Sequence, residues 1–471
     1  METYVKIFSW SFYHPSFAML LMRRTPHKNN SESLQDKIVH FVGIGGIGTS
    51  ALAKYYLSKG TAVSGSDLAP SEITEELEQL GAAVHIGTHN ADHVPDNAET
   101  VIYTAAVPKT NPELKEAKKR RLAVKSYAEA MGELTKQYET ITVSGAHGKS
   151  TTTALCALAL EEGYFDPMVI VGTKIKEFGN SNFRSGLGPY FVLEADEWNK
   201  SFLHYQPKIA VVTNIDAEHL DTYKTIEKVA ETFEKYLAKV PADGRMIVNG
   251  DSVRLRAIGE KFGKQALFYS LQDREANLVR PILRIPGEHN VSNALAAFAL
   301  GRYLGMYEPD ILRGLARFGG AWRRFEWWGI VNGAYIIADY GHHPEEIKAT
   351  IAAARGRFPL RRIWCVYQPH QYQRLAYLWE GFVNAFDGAD HVGLLPVYDV
   401  AGRETKTAKA AVNSAKLAQT LQKRGKEVKY LESFDAAQSH IMKEARSGDI
   451  ILMMGAGDIY ELTRQLVMPI S

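Results

Sequence analysis

Lys149 and Ser150 sit in a stretch, ITVSGAHGKSTTT over residues 141–153, whose residue types suit a phosphate group. A β-branched run ends in a small polar turn and passes into ALCALALEE, so a strand hands over to a helix whose N-terminus faces an anion. Gly145, Ala146, His147 and Gly148 offer backbone N–H groups at close range, because glycine admits an approach that a Cβ would block. Lys149 adds a point charge, and the hydroxyl of Ser150 or Thr151 lies where Mg²⁺ takes an oxygen. The spacing reads GxxGKS, with Val143 at the first glycine position of the longer GxxxxGKS form.

Other residues extend this chemistry. The apolar run at 190–193 ends in Glu194-Ala195-Asp196-Glu197, and a carboxylate at the carboxyl end of a strand can hold Mg²⁺ directly or through water. IAVVTNID ends in the turn that carries His219, a second strand end aimed at the same crevice. Asn290 and Asn293 are three apart and share a helix face, where they either read a nucleotide base or cap the helix. Upstream, Gly43, Gly45, Gly46 and Gly48 form a GxGxxG turn between a strand and a helix, and Asp67 ends the next strand about twenty residues on. A nucleotide is expected there too, of a kind the motif does not specify.

The elements that position these residues alternate β and α along the chain, which predicts α/β domains with mostly parallel sheets. The division expected is an N-terminal extension over 1–37, a Rossmann-like domain over 38–134, a central P-loop ATPase domain over 135–320 and a C-terminal Rossmann-like domain over 321–471. Glycines around Trp322 mark the last joint. A formal charge of +2 gives no argument for nucleic acid or an anionic membrane. Cys156 and Cys365 lie in apolar runs and read as buried hydrophobes of a reducing cytoplasm. Residues 4–22 are aromatic and apolar, but their charges follow the run and His14 and Pro15 interrupt it, so a disordered extension or a misplaced start is expected over a membrane anchor.

In this order, FVGIGGIGTSALA with GSD, SGAHGKSTTT, EADE, TNIDAEHLD, PGEHNVSNALAA, RRFE, DYGHHPEEIKATI, YQPHQYQR and MMGAGDIYEL resemble the Mur ligases of peptidoglycan synthesis. The resemblance runs over residues 38–466 and rests on many independent motifs. It implies a three-domain, ATP-dependent amide ligase using Mg²⁺ or Mn²⁺, with the motifs closest to the branch that joins L-alanine to UDP-N-acetylmuramate. It implies that Gly145, Ala146, His147, Gly148, Lys149, Ser150 and Thr151 cradle the phosphates, and that Ser150, Glu194 and His219 hold metal. Asn290 and Asn293 would meet adenine, while Arg324 and Asp339 would reach ATP from the joint and the third domain. Gly43, Gly45, Gly46, Gly48, Asp67 and Thr104 would hold UDP, and Tyr340, His343, His370 and Arg374 would line the amino-acid pocket. The implied catalytic set is Lys149, Glu194, His219 and Arg324, in a cytoplasmic monomer or homodimer.

Trp198-Asn199-Lys200-Ser201 after EADE, Glu218 before His219, and Gln371 after QPH depart from the family pattern. The first and last border the expected acceptor pocket, which keeps glycine and serine in view beside alanine. The rival readings are a ligase that reattaches a preformed tripeptide, a nicotinamide-dependent oxidoreductase and a non-catalytic nucleotide-binding module. An oxidoreductase would leave Lys149, Glu194 and His219 without a task.

Overall fold

The computed structural model describes residues 38–216, 220–399 and 406–467. The extension at 1–37 and His219 therefore lie outside the described residues. The described chain forms three α/β units, each on its own sheet.

The first sheet has five parallel strands, ordered Ala83–Ile86, Ala62–Asp67, Ile38–Val42, Ala98–Tyr103, Ala123–Ser126. Strand order reverses between Ile38–Val42 and Ala98–Tyr103, and a crevice opens at such a switch point. The glycine turn leaves one of these strands and Thr104 leaves the other.

Seven strands make the second sheet, with Glu139–Ser144 between Ile209–Val212 and Tyr190–Glu194. All three run parallel, so the phosphate loop, Glu194 and the 213–216 turn leave the sheet at one end. Ser181–Arg184, at the sheet edge, is the strand that runs antiparallel to its neighbour. Helix Lys149–Glu162 is buried continuously from Thr151 to Leu160. An all-round apolar helix of this kind belongs inside a protein, and it packs between Glu288–Tyr303 and Glu308–Arg317. The expected strand, turn and helix around Lys149 are thus in place.

The third sheet is mostly parallel, as the βα alternation predicts, with one antiparallel pair at its edge. Glu326–Val331 and Ala334–Asp339 form an antiparallel hairpin at its edge, and the other four strands run parallel. Between its strands run the short helices Tyr372–Tyr377 and Trp379–Val383, and then Lys406–Ala411 and Ser414–Lys423. Cys156 and Cys365 are both buried and unpaired, in different cores. Among the described residues no helix is long and apolar enough to cross a membrane.

Candidate active site

The phosphate loop is a local consequence of its glycines. Gly145 and Gly148 have φ of 138° and 79°, a region that side chains rarely occupy. A Cβ on Gly148 would lie 2.4 Å from Asn293 Oδ1, and one on Gly145 would lie 2.1 Å from Thr213 Oγ1. The His147 N–H donates to Asn214 Oδ1 at 2.8 Å, which fixes the loop against the next strand end. Gly148→Ala is expected to cost about 1–3 kcal/mol of stability through backbone strain. It should also abolish phosphate release. Urea melts and a phosphate assay check both, and an unchanged ATP turnover would remove the tight-loop argument.

Lys149 Nζ is held in this loop by the carbonyls of Gly145 at 2.7 Å and Ala146 at 3.2 Å. The remaining contact is the carboxylate of Glu197, at 3.0 and 3.2 Å. Glu197 is only 1% exposed, and burial pushes its pKa up to about 7 against the pull of the Lys149 charge. Burial disfavours the Lys149 charge as well, but Glu197, Asp196 and Glu194 outweigh it and raise its pKa.

Ser150 Oγ donates to Glu194 Oε1 at 3.0 Å, and the Gly172 N–H donates to Glu194 Oε2 at 2.6 Å. Adjacent oxygens in an octahedral Mg²⁺ shell are about 2.9 Å apart, so the hydroxyl and carboxylate already sit at the spacing of neighbouring ligands. Burial raises the Glu194 pKa, while Lys149 and the two hydrogen bonds oppose the rise.

A cavity of about 560 Å³ opens in front of these groups, lined by the phosphate loop, Asn290, Asn293, Arg324, Asp339 and Glu346. That size suits a nucleotide-scale ligand, for which pockets run to about 300–1,000 Å³. Its walls come from two units, so opening or closing one against the other changes the site. Asn290 Nδ2 donates to the Pro286 carbonyl at 2.6 Å and Asn293 Nδ2 lies 3.4 Å from Asn290 Oδ1. The helix N-cap is Gly287, without a side-chain capping bond, so neither asparagine caps the helix.

From the C-terminal side, the Asp339 oxygens accept the N–H groups of Phe325 and Gly341 at 2.8 Å each, which pins the joint to the strand end. Arg324 lies over the Tyr340 ring at 5.2 Å and reaches Glu346 Oε1 at 3.3 Å. Glu346 Oε1 is also 3.4 Å from His147 Nδ1, across the cavity from its own helix. Burial disfavours the Glu346 charge, but His342, His147 and Arg324 prevail and hold its pKa well below the usual range.

Donor atoms of His147, Asp216 and His343 lie within 4.8 Å of one another, again across the two units. His343 Nδ1 accepts the Glu345 N–H at 3.3 Å as the cap of helix Pro344–Arg357. A neutral ring accepting at Nδ1 carries its proton at Nε2, so hydrogen bonding suits this set better than a cation. Tyr340 meets His342 edge-on at 5.3 Å, and His370 lies 6.0 Å from His342 and stacks on Tyr398. Arg374 is on the short helix Tyr372–Tyr377, near enough to Tyr367 for its charge to be felt there. Tyr340, His343, His370 and Arg374 are not among the residues that line the cavity, although the His343 ring lies 5.0 Å from that of His147, which does.

The glycine turn lies apart from this cavity, on the first sheet. The Gly43 and Ile44 N–H groups donate to the Ser66 carbonyl at 2.8 and 3.0 Å, and the Gly45 N–H donates to Asp67 Oδ2 at 2.8 Å. A Cβ on Gly43, where φ is 82°, would lie 2.4 Å from Thr104 Cγ2. Gly48 is close to the Tyr127 ring, and Gly46 is the N-cap of helix Ile47–Ser58.

Three family models match successive parts of the chain: the Mur ligase family catalytic domain over 38–139, the Mur ligase middle domain over 143–283, and the Mur ligase glutamate ligase domain over 323–457. The chain belongs to the Mur ligase family. It is 39% identical over 454 residues to the UDP-N-acetylmuramate--L-alanine ligase of Pelotomaculum thermopropionicum, covering 91% of this chain and 96% of that protein. The protein of the same name from Geotalea daltonii is 40% identical over 451 residues, covering 91% and 97%. Among solved structures, UDP-N-acetylmuramate-alanine ligase MurC from Thermotoga maritima aligns with a TM-score of 0.76 and 28% identity, over 91% of this chain and 98% of that one. A murein peptide ligase from Psychrobacter arcticus aligns at 0.65 and 22% identity, over 91% and 98%, and shows the shared fold.

In this Mur ligase the structure adds two carboxylates to the residues singled out from sequence. Glu197 is the last residue of EADE, read there only as part of an acidic strand end. Glu346 stands three residues after the capping His343, a position where an acid completes a capping box. That role was visible, but the reach to His147 was not, since it depends on how two units meet.

Proposed function

We propose that this Mur ligase joins L-alanine to the carboxylate of UDP-N-acetylmuramate, driven by ATP, in peptidoglycan precursor synthesis. The observation that carries the reading is a phosphate loop on one unit facing Arg324 and Asp339 of another across a nucleotide-sized cavity, in a chain aligned over 91% of its length with ligases of that name. A carboxylate is a poor electrophile at neutral pH. Its oxygen attacks the γ-phosphorus, the bond to ADP breaks, and an acyl phosphate results. The uncharged amine of alanine then attacks the acyl carbon, phosphate leaves, and the amide loses its proton to solvent or a base.

The protein's part is positioning and charge neutralisation. Lys149 and the N–H groups of Gly145, Ala146, His147 and Gly148 orient the phosphates. Asn290 and Asn293 face the base, and Arg324 approaches the triphosphate from the joint. Ser150 and Glu194 would hold Mg²⁺, and the family resemblance implies His219 for a second ion; when bound, the cation would neutralise charge on the transferring phosphoryl group. The glycine turn, Asp67 and Thr104 take UDP, and Tyr340, His343, His370 and Arg374 take the amino acid. On this reading the enzyme works in the cytoplasm.

Phosphate release with UDP-N-acetylmuramate and ATP across a panel of free amino acids and the tripeptide tests the reading. Release with L-alanine is expected. Release with glycine, serine or the tripeptide instead would reassign the acceptor, and none with any would overturn the ligase.

A further inference from the structure

Beneath the glycine turn lies a carboxylate that the reaction does not use. Glu113 is fully buried near the start of helix Pro112–Lys119, where Asn111 Oδ1 accepts its N–H at 2.8 Å. Its Oε2 is 2.7 Å from Ser66 Oγ and 2.8 Å from His40 Nε2. Its Oε1 is 2.8 Å from His89 Nδ1 and 3.4 Å from His93 Nδ1. His40 continues the network through Nδ1, 2.9 Å from Ser64 Oγ. One buried group thus joins two neighbouring strands, the loop after a third, and a helix.

A fully buried charge is costly unless hydrogen bonds compensate it, and an apolar side chain would fill the same space more cheaply. Here burial opposes ionisation, but the bonds from His40, Ser66 and His89 outweigh it and lower the Glu113 carboxyl to about 2. The network ends on the residues that shape the glycine turn. The Ser66 carbonyl takes the N–H groups of Gly43 and Ile44, and the next residue, Asp67, takes that of Gly45. With those three donors satisfied from below, helix Ile47–Ser58 begins at Gly46 without a side-chain cap. Its first N–H groups are then the ones presented to an anion.

We infer that Glu113 is a positioning residue for the nucleotide diphosphate of the UDP-sugar, holding Ser66 and, through the backbone of Ser66 and Asp67, the glycine turn in its binding shape. The inference rests on the reading of that turn as the UDP-sugar site. Glu113 touches no reacting atom. It acts by making the turn rigid before the ligand arrives, so its loss falls on binding at this site and spares the ATP cavity on the second sheet.

Calorimetry with UDP as the probe, together with steady-state kinetics, tests this on Glu113→Gln, Glu113→Asp and His89→Gln. Glu113→Gln is expected to weaken UDP binding roughly 10-fold, the scale of a broken hydrogen bond to a buried charge. The KM for the UDP-sugar should rise by the same factor, with kcat and the KM for ATP within about twofold of wild type. Glu113→Asp, which keeps the charge, should restore part of the affinity. His89→Gln, which keeps the carboxylate itself, should shift the same constant by less and gives the answer if Glu113→Gln does not fold. Unchanged UDP binding in Glu113→Gln and His89→Gln would overturn the inference. So would a uniform fall in active enzyme, with a lowered Tm and unaltered KM values, which is the outcome of a merely structural role. A wild-type chain that binds no UDP would overturn the UDP reading of the turn and this inference with it; wild-type binding that the variants retain would overturn this inference alone.

Discussion

Lys149→Ala is expected to lower kcat for ligation roughly 10²–10³-fold, or about 3–4 kcal/mol, the usual scale for removing one charge-stabilising donor from a transition state. The geometry explains why the loss should fall on chemistry. Two of the contacts to Nζ are loop carbonyls, from Gly145 and Ala146, which belong to the same loop as the lysine. Glu197 is the contact that a phosphate can replace, since both are anions competing for one ammonium. The substitution need not strand a buried charge, because Glu197 already has its pKa raised to about 7 and can take a proton. The variant should therefore fold and still bind UDP at the first sheet, which calorimetry checks. Near-native single-turnover phosphate release from a folded Lys149→Ala chain would end the assignment of this lysine to the travelling phosphoryl group. Arginine is not expected to rescue it, because its planar fork cannot follow the compact contacts that an ammonium makes here.

The loops that must come close to a ligand were the most legible parts of the chain. Gly43, Gly145 and Gly148 have backbone angles or clearances that forbid a Cβ, so the chemistry is written in consecutive residues. Strand ends were nearly as clear, and Glu194 meets Ser150 because parallel strands of one sheet bring their carboxyl ends together. The hairpin at the edge of the third sheet was missed although a signal was present. Asn332 and Gly333 have φ of 51° and 76°, as a two-residue hairpin turn requires, and EWWGIV and AYIIAD flank them. The glycines of the joint lie just upstream, so the signals for a boundary and for a strand through Trp327 and Trp328 overlap there.

What sequence could not supply was the pairing of groups across units. His147 and Glu346 are separated by almost the whole middle domain, and their 3.4 Å approach depends on the joint at 319–325. Within the middle unit, the pairing of Glu197 with Lys149 was hidden as well. Its neighbour Glu194 is oriented by the strand register, whereas Glu197 is turned inward by the loop that follows, where Asn199 and Lys200 have left-handed backbones with φ of 52° and 59°. Nothing in the four letters EADE says which acid meets a hydroxyl and which meets an ammonium. The division of labour is spatial, and it separates a group that suits a cation from one that holds the lysine.

That division makes Glu194→Gln the sharper test of the metal. Glutamine keeps the length of the side chain and one oxygen, which can accept from the Gly172 N–H while its NH2 donates to Ser150 Oγ, so the loop, shaped by its glycines, should keep its form. It removes the negative charge that a hard cation needs. The half-saturating Mg²⁺ concentration for phosphate release is expected to rise by roughly 10–100-fold, the scale seen when a metal loses a supporting group. Part of the lost rate should return at high Mg²⁺. Glu197→Gln should leave the Mg²⁺ requirement nearly unchanged, because Glu197 contacts Lys149 while the Ser150 hydroxyl bonds to Glu194. Activity in excess EDTA should be absent for all three chains. If Glu194→Gln kept the wild-type Mg²⁺ dependence, or Glu197→Gln took over the shift, the cation would sit at the other carboxylate. In that case Lys149 would have to find its counter-charge elsewhere once ATP is bound.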